Sequence, residues 1–191
     1  MADREIPGKS SGNVFLIGPM GAGKTTVGRL LAKELGLRFF DSDHEIESAA
    51  NASISWIFDV EGESGFRRRE ARKIAALTEM RGILLATGGG AVLDAENRQL
   101  LRERGVVVYL YVPLEAQLSR TLKDKNRPLL RTPNREQRIR ELFAARHPIY
   151  SELADITVEA KRKFPQLVNR AVRRELEQFR GQAAAAAASA G

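Results

Sequence analysis

The chain has 191 residues, 43% hydrophobic and 29% charged, enough for one domain with a five-stranded α/β core. It carries no cysteine, which excludes disulfides and thiolate metal sites and suits the cytoplasm. A formal net charge of +7 points to anionic partners, but the basic residues are spread along the chain and only 6% of residues are aromatic, so small anions are expected rather than nucleic acid.

Residues 1–12 read as a loose polar leader without the apolar stretch of a secretory signal, and a single domain is expected over 13–180. No apolar run approaches the ~20 residues that span a bilayer, so no membrane partner is expected. Val14-Phe15-Leu16-Ile17 is a short buried-strand run. It leads into Gly18-Pro19-Met20-Gly21-Ala22-Gly23-Lys24-Thr25, which fits the phosphate-binding P-loop pattern G-x-x-x-x-G-K-[ST]. The glycines allow a tight turn and leave no Cβ between the backbone N–H groups and an anion. Those N–H groups, with the N-terminus of the next helix, form a nest of partial positive charge. Lys24 adds a full charge for the β- and γ-phosphates, and the Thr25 hydroxyl is a ligand for Mg²⁺. Val27, Leu30, Leu31 and Leu35 recur at helical spacing, so a helix is expected from Lys24 to Leu35, ended by Gly36. In this context the pattern implies a nucleoside-triphosphate site.

A second strand is expected over 37–40, stopped by Asp41-Ser42-Asp43. Two carboxylates two residues apart at a strand end can point the same way. One would serve the water shell of Mg²⁺ and the other a substrate hydroxyl; the alternative is a helix N-cap from Ser42 or Asp43. Helical spacing resumes over 44–50 and 53–60, and a long charged helix is expected over 63–79, bounded at Gly82. Successive side chains of Arg67, Arg68 and Arg69 point about 100° apart on a helix. One of them facing inward would suit a planar carboxylate, which arginine grips bidentately, while a solvated face is the ordinary alternative. A third strand, 83–87, closes on Gly88-Gly89-Gly90. A turn needs one or two glycines; three after a buried strand suggest backbone approaching a ligand.

A short helix at 95–104 precedes a fourth strand at 106–111, and another helix is expected over about 114–122. The stretch 123–135 is polar, basic and poor in periodicity. Phosphoryl transfer needs water excluded and the γ-phosphate charge neutralised, which a mobile lid carrying an arginine accomplishes; a plain surface loop is the alternative. A helix over 135–145 leads to Arg146, as ambiguous as the triple arginine, and to His147-Pro148. His44 and His147 lack metal-ligand spacing and are expected to be structural or exposed. A last strand at 156–158 and a final helix from Phe164 to about Phe179 follow, and the Ala-rich tail 181–191 is expected to be disordered. The alternation implies an α/β three-layer sandwich with a five-stranded parallel sheet. Ligands in such folds sit beyond the carboxyl ends of the strands, where the P-loop, the aspartate pair and the triple glycine would converge.

Together, G-P-M-G-A-G-K-T at 18–25, F-D-S-D at 40–43, E-G-E-S-G-F-R at 61–67, G-G-G-A at 88–91, R-P-L-L at 127–130 and R-H-P-I-Y at 146–150 carry a specific resemblance in their order and spacing. Over roughly residues 12–175 the chain resembles the shikimate kinase family, of the nucleoside-monophosphate-kinase-like class. The resemblance implies the P-loop NTPase fold with a mobile lid at about 123–135. It also implies transfer of the γ-phosphate of ATP to the 3-hydroxyl of shikimate, a step toward chorismate and the aromatic amino acids, with ATP and Mg²⁺, by a cytoplasmic monomer. By the same resemblance, Gly21, Ala22, Gly23, Lys24, Thr25 and Thr26 would hold the phosphates, with Thr25 and, through water, Asp41 on the metal. Asp43 would hold the reacting hydroxyl and take its proton. Arg67 and Arg146 would clamp the carboxylate, Gly88, Gly89 and Gly90 would approach the ring, and Phe58 with Phe66 would wall the pocket. Arg127 would be the lid arginine on the transferred phosphate, completing a catalytic set with Lys24 and Asp43, while Arg120 and Pro165 would lie on the adenine side. The chain departs from the family at Lys163, where arginine is common, and in its Ala-rich tail. No Walker B aspartate follows the strand at 83–87, as the family's glycine turn leads one to expect. The rivals are another small-molecule kinase of this fold, acting on gluconate or a nucleoside monophosphate, and an ATP-dependent nucleic-acid-binding module.

Overall fold

Near-continuous apolar runs are the mark of strands covered on both faces, and three of them form the middle of the sheet. A computed structural model describes residues 12–121, 128–160 and 164–189. Its strands are β1 (Val14–Ile17), β2 (Arg38–Asp41), β3 (Ile83–Ala86), β4 (Val106–Tyr111) and β5 (Ile156–Glu159). They pair in parallel throughout, in the order β2-β3-β1-β4-β5. Its helices are α1 (Lys24–Leu35), α2 (Ser42–Ala50), α3 (Ile54–Thr78), α4 (Ala95–Arg104), α5 (Leu114–Thr121), α6 (Arg135–Leu153) and α7 (Pro165–Ser189).

Side chains alternate across the sheet and divide the core in two. Leu16, Leu84, Val106 and Val108 meet Val27 and Leu31 of α1 and Val168 and Val172 of α7 on one face. Phe15, Leu85, Val107 and Tyr109 meet Ile74 of α3, Leu101 of α4 and Tyr150 and Leu153 of α6 on the other. The result is the three-layer α/β sandwich that the alternation implied. At the amino edge of the sheet the buried Asn13 ties three strands together. Its Nδ2 donates to the carbonyls of Met80 (2.7 Å) and Arg104 (3.2 Å), and its Oδ1 accepts from the N–H of Ile83 (3.1 Å).

Several elements differ from the sequence expectation, each for a physical reason. β2 includes Asp41 and α2 starts at Ser42, because Asp41 caps that helix. α6 continues through Pro148 to Leu153 instead of ending at Ala145. An interior proline costs a helix about 3 kcal/mol, but the added turns bury Arg146, Tyr150 and Leu153 on one face. α7 runs through the alanine tract to Ser189, where a disordered tail was expected. Alanine has the highest helix propensity of any residue, and Phe179 and Ala183 still pack against the core.

Gly105 separates α4 from β4 with an extended φ of 178°, a conformation open to any residue. A Cβ there would nonetheless lie 2.6 Å from the Phe15 ring and 2.9 Å from the Asn13 carbonyl oxygen. Gly105→Ala is therefore expected to destabilise the fold by about 1–3 kcal/mol through overpacking. The check is urea unfolding; an unshifted midpoint would show that the Asn13 clamp yields without cost.

Candidate active site

The site forms where β1, β2 and β3 end. After β1 the loop reaches Gly21 and Gly23 at φ 77° and 85°, left-handed values that glycine adopts without strain. A Cβ on Gly21 would also lie 2.8 Å from Thr121 Cγ2. No side chain caps α1, so its first N–H groups remain available to an anion. Lys24 crosses the loop, donating from Nζ to the carbonyls of Gly18 (2.7 Å) and Pro19 (3.0 Å). Thr25 and Thr26 face the cleft, whereas the Ala22 side chain turns into the core.

β2 delivers the aspartate pair. Asp41 Oδ1 accepts from the Asp43 N–H (3.1 Å) and Oδ2 accepts from the Thr25 hydroxyl (2.6 Å). One carboxylate thus caps α2 and reaches the P-loop, so the expected capping role of Ser42 or Asp43 falls to Asp41. Ser42 instead is buried and its Oγ accepts from the Gly88 N–H (2.8 Å), anchoring the glycine turn. A Cβ on Gly88 would lie 2.7 Å from Asp43 Oδ1 and 2.4 Å from Glu70 Oε1. Any side chain at 88 would have to displace both carboxylates.

α3 breaks at Gly62 (φ 69°, ψ 179°), and Arg69 grips Glu61 across the break at 2.9 and 2.7 Å. That hydrogen-bonded guanidinium holds the Glu61 carboxyl below its ordinary value. Beyond the break Phe66 and Arg67 turn inward and Arg68 turns to solvent, which settles which of the three arginines enters the site. The rings of Phe58 and Phe66 meet at 4.9 Å. Arg67 donates to Glu70 Oε2 (2.5 Å) and Glu63 Oε1 (3.0 Å) and lies across Gly90. Arg146, 5% exposed, approaches from α6 and donates to the Gly89 carbonyl at 3.3 Å. Burial holds its guanidinium below the ordinary value, and the charge of Arg67 adds to the effect.

Lys24, Thr25, Asp41, Asp43, Arg67 and Arg146 line one cleft of about 850 Å³ together with Phe58, Phe66, Glu70 and Gly88–Gly90, and Met20, Pro128 and Leu129 also face it. That is room for a ligand larger than a simple anion. Arg120 and Pro165 do not line it. Arg120 instead ties the P-loop to the end of β5 through the carbonyls of Gly21 (3.1 Å) and Ala160 (2.8 Å), and Pro165 begins α7. Arg127, with residues 123–127 of the expected lid, lies outside the described residues. His147 stacks on Phe143 (5.1 Å) with its Nδ1 3.0 Å from the Tyr109 hydroxyl, and His44 is exposed, as expected. Among the described residues no three histidine or acidic side chains gather as a metal cluster. Glu70 escaped the sequence reading, as did the contacts of Ser42 and Tyr150 with the glycine turn. For Glu70 a signal existed: Phe66, Glu70, Ile74 and Leu77 share one helical face, so an acid stands at a core position.

The shikimate kinase family model matches residues 20–177. A shikimate kinase from Chromohalobacter salexigens is 56% identical over 162 residues, 84% of this chain and 90% of that one. The structure of shikimate kinase from Acinetobacter baumannii in complex with shikimate is 50% identical and superposes with a TM-score of 0.83, over 89% of this chain and 96% of that one. A gluconokinase from Sinorhizobium meliloti 1021 is 14% identical, with a TM-score of 0.51 over 90% of this chain and 97% of that one, a likeness of fold alone.

Burial pushes the Glu70 carboxyl above its ordinary value of 4.5; Arg67 opposes the shift and Asp43 adds to it. The folded chain then holds this proton more tightly than the unfolded chain. Glu70 therefore contributes stability that is fully present below pH 4.5 and is lost as pH rises through the raised value. Glu70→Gln removes the titration, so the Tm of the variant minus that of the parent is expected to grow as pH rises above 4.5. A difference that stays constant with pH would contradict the shift.

Proposed function

The chain belongs to the shikimate kinase family and is an ATP-dependent kinase acting on shikimate, and on that premise we propose how its residues divide the transfer of the γ-phosphate to the 3-hydroxyl. The observation that carries the assignment is the convergence of two guanidiniums and a carboxylate on Gly88–Gly90, in the same cleft as the P-loop. Arg67 and Arg146 are like charges lining the same cleft, the charge of Arg67 acts on Arg146, and a carboxylate ligand between them would offset it. Each fork can hold it through paired, charge-assisted hydrogen bonds. Phe58 and Phe66 supply an apolar wall for the ring.

Asp43 orients the acceptor hydroxyl toward the phosphate and accepts its proton as the new P–O bond forms. Lys24, whose Nζ donates to two loop carbonyls, exchanges them for β- and γ-phosphate oxygens when the nucleotide enters. The N–H groups of Gly21, Ala22, Gly23, Lys24, Thr25 and Thr26 receive the remaining phosphate charge. The Thr25 hydroxyl and the Asp41 carboxylate, 2.6 Å apart, are hard oxygen donors that fit Mg²⁺. This ion keeps several waters and needs few protein ligands, which suits direct contact with Thr25 and contact through water with Asp41. Its part when bound is to neutralise charge on the β- and γ-phosphate oxygens. Arg127 is assigned the transferred phosphate on the family resemblance, with Arg120 and Pro165 toward the adenine. The reading is of a monomeric cytoplasmic enzyme without a nucleic-acid partner. Arginines such as Arg140 and Arg173 are engaged with nearby glutamates, which supports the last point.

ADP release with ATP and Mg²⁺ in the presence of shikimate, gluconate or AMP tests the acceptor. Release that depends on shikimate is expected, and activity with gluconate or AMP alone would overturn the assignment. Arg67→Lys keeps the charge but loses the fork, so the shikimate KM should rise about tenfold while the KM for ATP stays near the parent value. An unmoved shikimate KM would remove Arg67 from the acceptor site. Asp43→Asn should lower kcat by a factor of about 10²–10⁴ with the fold intact. Turnover like that of the parent enzyme would exclude Asp43 as the group that takes the proton.

A further inference from the structure

Tyr150 is 2% exposed, yet its hydroxyl reaches the acceptor side of the cleft from behind. It donates to the Gly89 carbonyl at 2.5 Å, the same oxygen that Arg146 contacts at 3.3 Å. The ring is buried and stacked on the Tyr109 ring at 5.0 Å, so the hydroxyl is held in place by packing. Burial pushes its pKa up to about 12, which keeps it a neutral donor at any working pH.

A trans peptide is planar, with its C=O and N–H pointing in opposite directions. Drawing the Gly89 carbonyl toward Tyr150 therefore turns the Gly90 N–H away from that hydroxyl, and Gly90 itself lines the cleft. The neighbouring amides are engaged, Gly88 with Ser42 and Ala91 with the Gly88 carbonyl. Among the described residues no hydrogen bond uses the N–H of Gly89 or Gly90. Glycine peptides rotate at little steric cost, so such a turn needs an outside restraint. A flipped 89–90 peptide would present its carbonyl oxygen, a negative dipole end, to an anionic ligand.

We infer that Tyr150 is a positioning residue for the acceptor: by holding the Gly89 carbonyl against α6 it keeps the Gly90 N–H aimed into the cleft, beside the Arg67 guanidinium, as a further donor to the carboxylate of shikimate. The choice of that ligand rests on the function proposed above; the restraint on the peptide does not.

Tyr150→Phe keeps the ring and its stacking and removes only the hydroxyl. The shikimate KM is expected to rise about threefold to tenfold, the effect of one hydrogen bond, with kcat and the KM for ATP changed by less than about twofold. In protein labelled with ¹⁵N-glycine, the Gly90 amide nitrogen should shift upfield, because its peptide carbonyl loses a polarising donor. Gly23 and Gly36 should stay in place. Tyr109→Phe removes a hydroxyl from the same stack without touching Gly89 and should leave both readouts unchanged. A parent-like shikimate KM in Tyr150→Phe, or an unmoved Gly90 signal, would overturn the inference. So would an equal rise in Tyr109→Phe, which would assign the effect to ring packing. If the parent enzyme releases no ADP in response to shikimate, the proposed acceptor is wrong, and the Gly90 signal still decides whether Tyr150 holds the turn.

Discussion

β3 lies between β2 and β1, and all three strands run in the same direction. Asp41 at the end of β2 stands opposite Ala86 of β3, and Ala86 stands opposite Leu16 of β1. Neighbouring strands are about 4.8 Å apart, so three loops from distant parts of the chain leave the sheet side by side. Short hydrogen bonds then join them: the Thr87 N–H to the Leu16 carbonyl, Gly88 to Ser42, and Thr25 to Asp41. Each bond links two of the three loops, so none of the three is placed alone. Disturbing the register of β3 would move the glycine turn relative to both the phosphate loop and the aspartates.

The electrostatics of the cleft depend on that arrangement. Arg67, Arg146, Asp43 and Glu70 are brought together where water is scarce, and burying unpaired charges there would cost several kcal/mol each. The site meets the problem in part by pairing, while Glu70 Oε1 and Arg146 Nε are buried without a hydrogen bond among the described residues. Glu70 and Glu63 hold Arg67, and the Gly89 carbonyl meets Arg146. The pairing leaves the two guanidiniums near enough for the charge of Arg67 to act on Arg146. Both guanidiniums are thus held by contacts within the protein itself.

Two helices accept local penalties to serve this geometry. α3 breaks at Gly62, and the Glu61–Arg69 pair holds the break, so Phe58 precedes it while Phe66 and Arg67 follow it on the cleft side. α6 carries Pro148 in its interior so that Arg146 and Tyr150 share one buried face. In both cases tertiary packing outweighs the intrinsic preference of the segment.

Much of this protein was legible in its sequence because the relevant physics is local. Hydrophobic runs and helical spacing mark the strands and α1, and the two glycine-rich segments mark the turns that follow β1 and β3. The parallel three-layer plan follows from the alternation of these elements. Other features depend on partners far away in the chain, and only the tertiary structure decided them. Arg67 rather than Arg68 or Arg69 turns inward because a break at Gly62 rotates the helix after it. Asp41 is both cap and P-loop partner because β2 ends opposite β3, beside the loop that follows β1. The Ser42–Gly88 and Tyr150–Gly89 bonds span 46 and 61 residues, distances over which neither periodicity nor a short motif carries information. Glu70 stood in plain view on a helical repeat, but its neighbours became known only when the sheet brought Gly88 and Asp43 against it. Backbone pattern is written in nearest neighbours along the chain, whereas the partner of a buried polar side chain is chosen by packing.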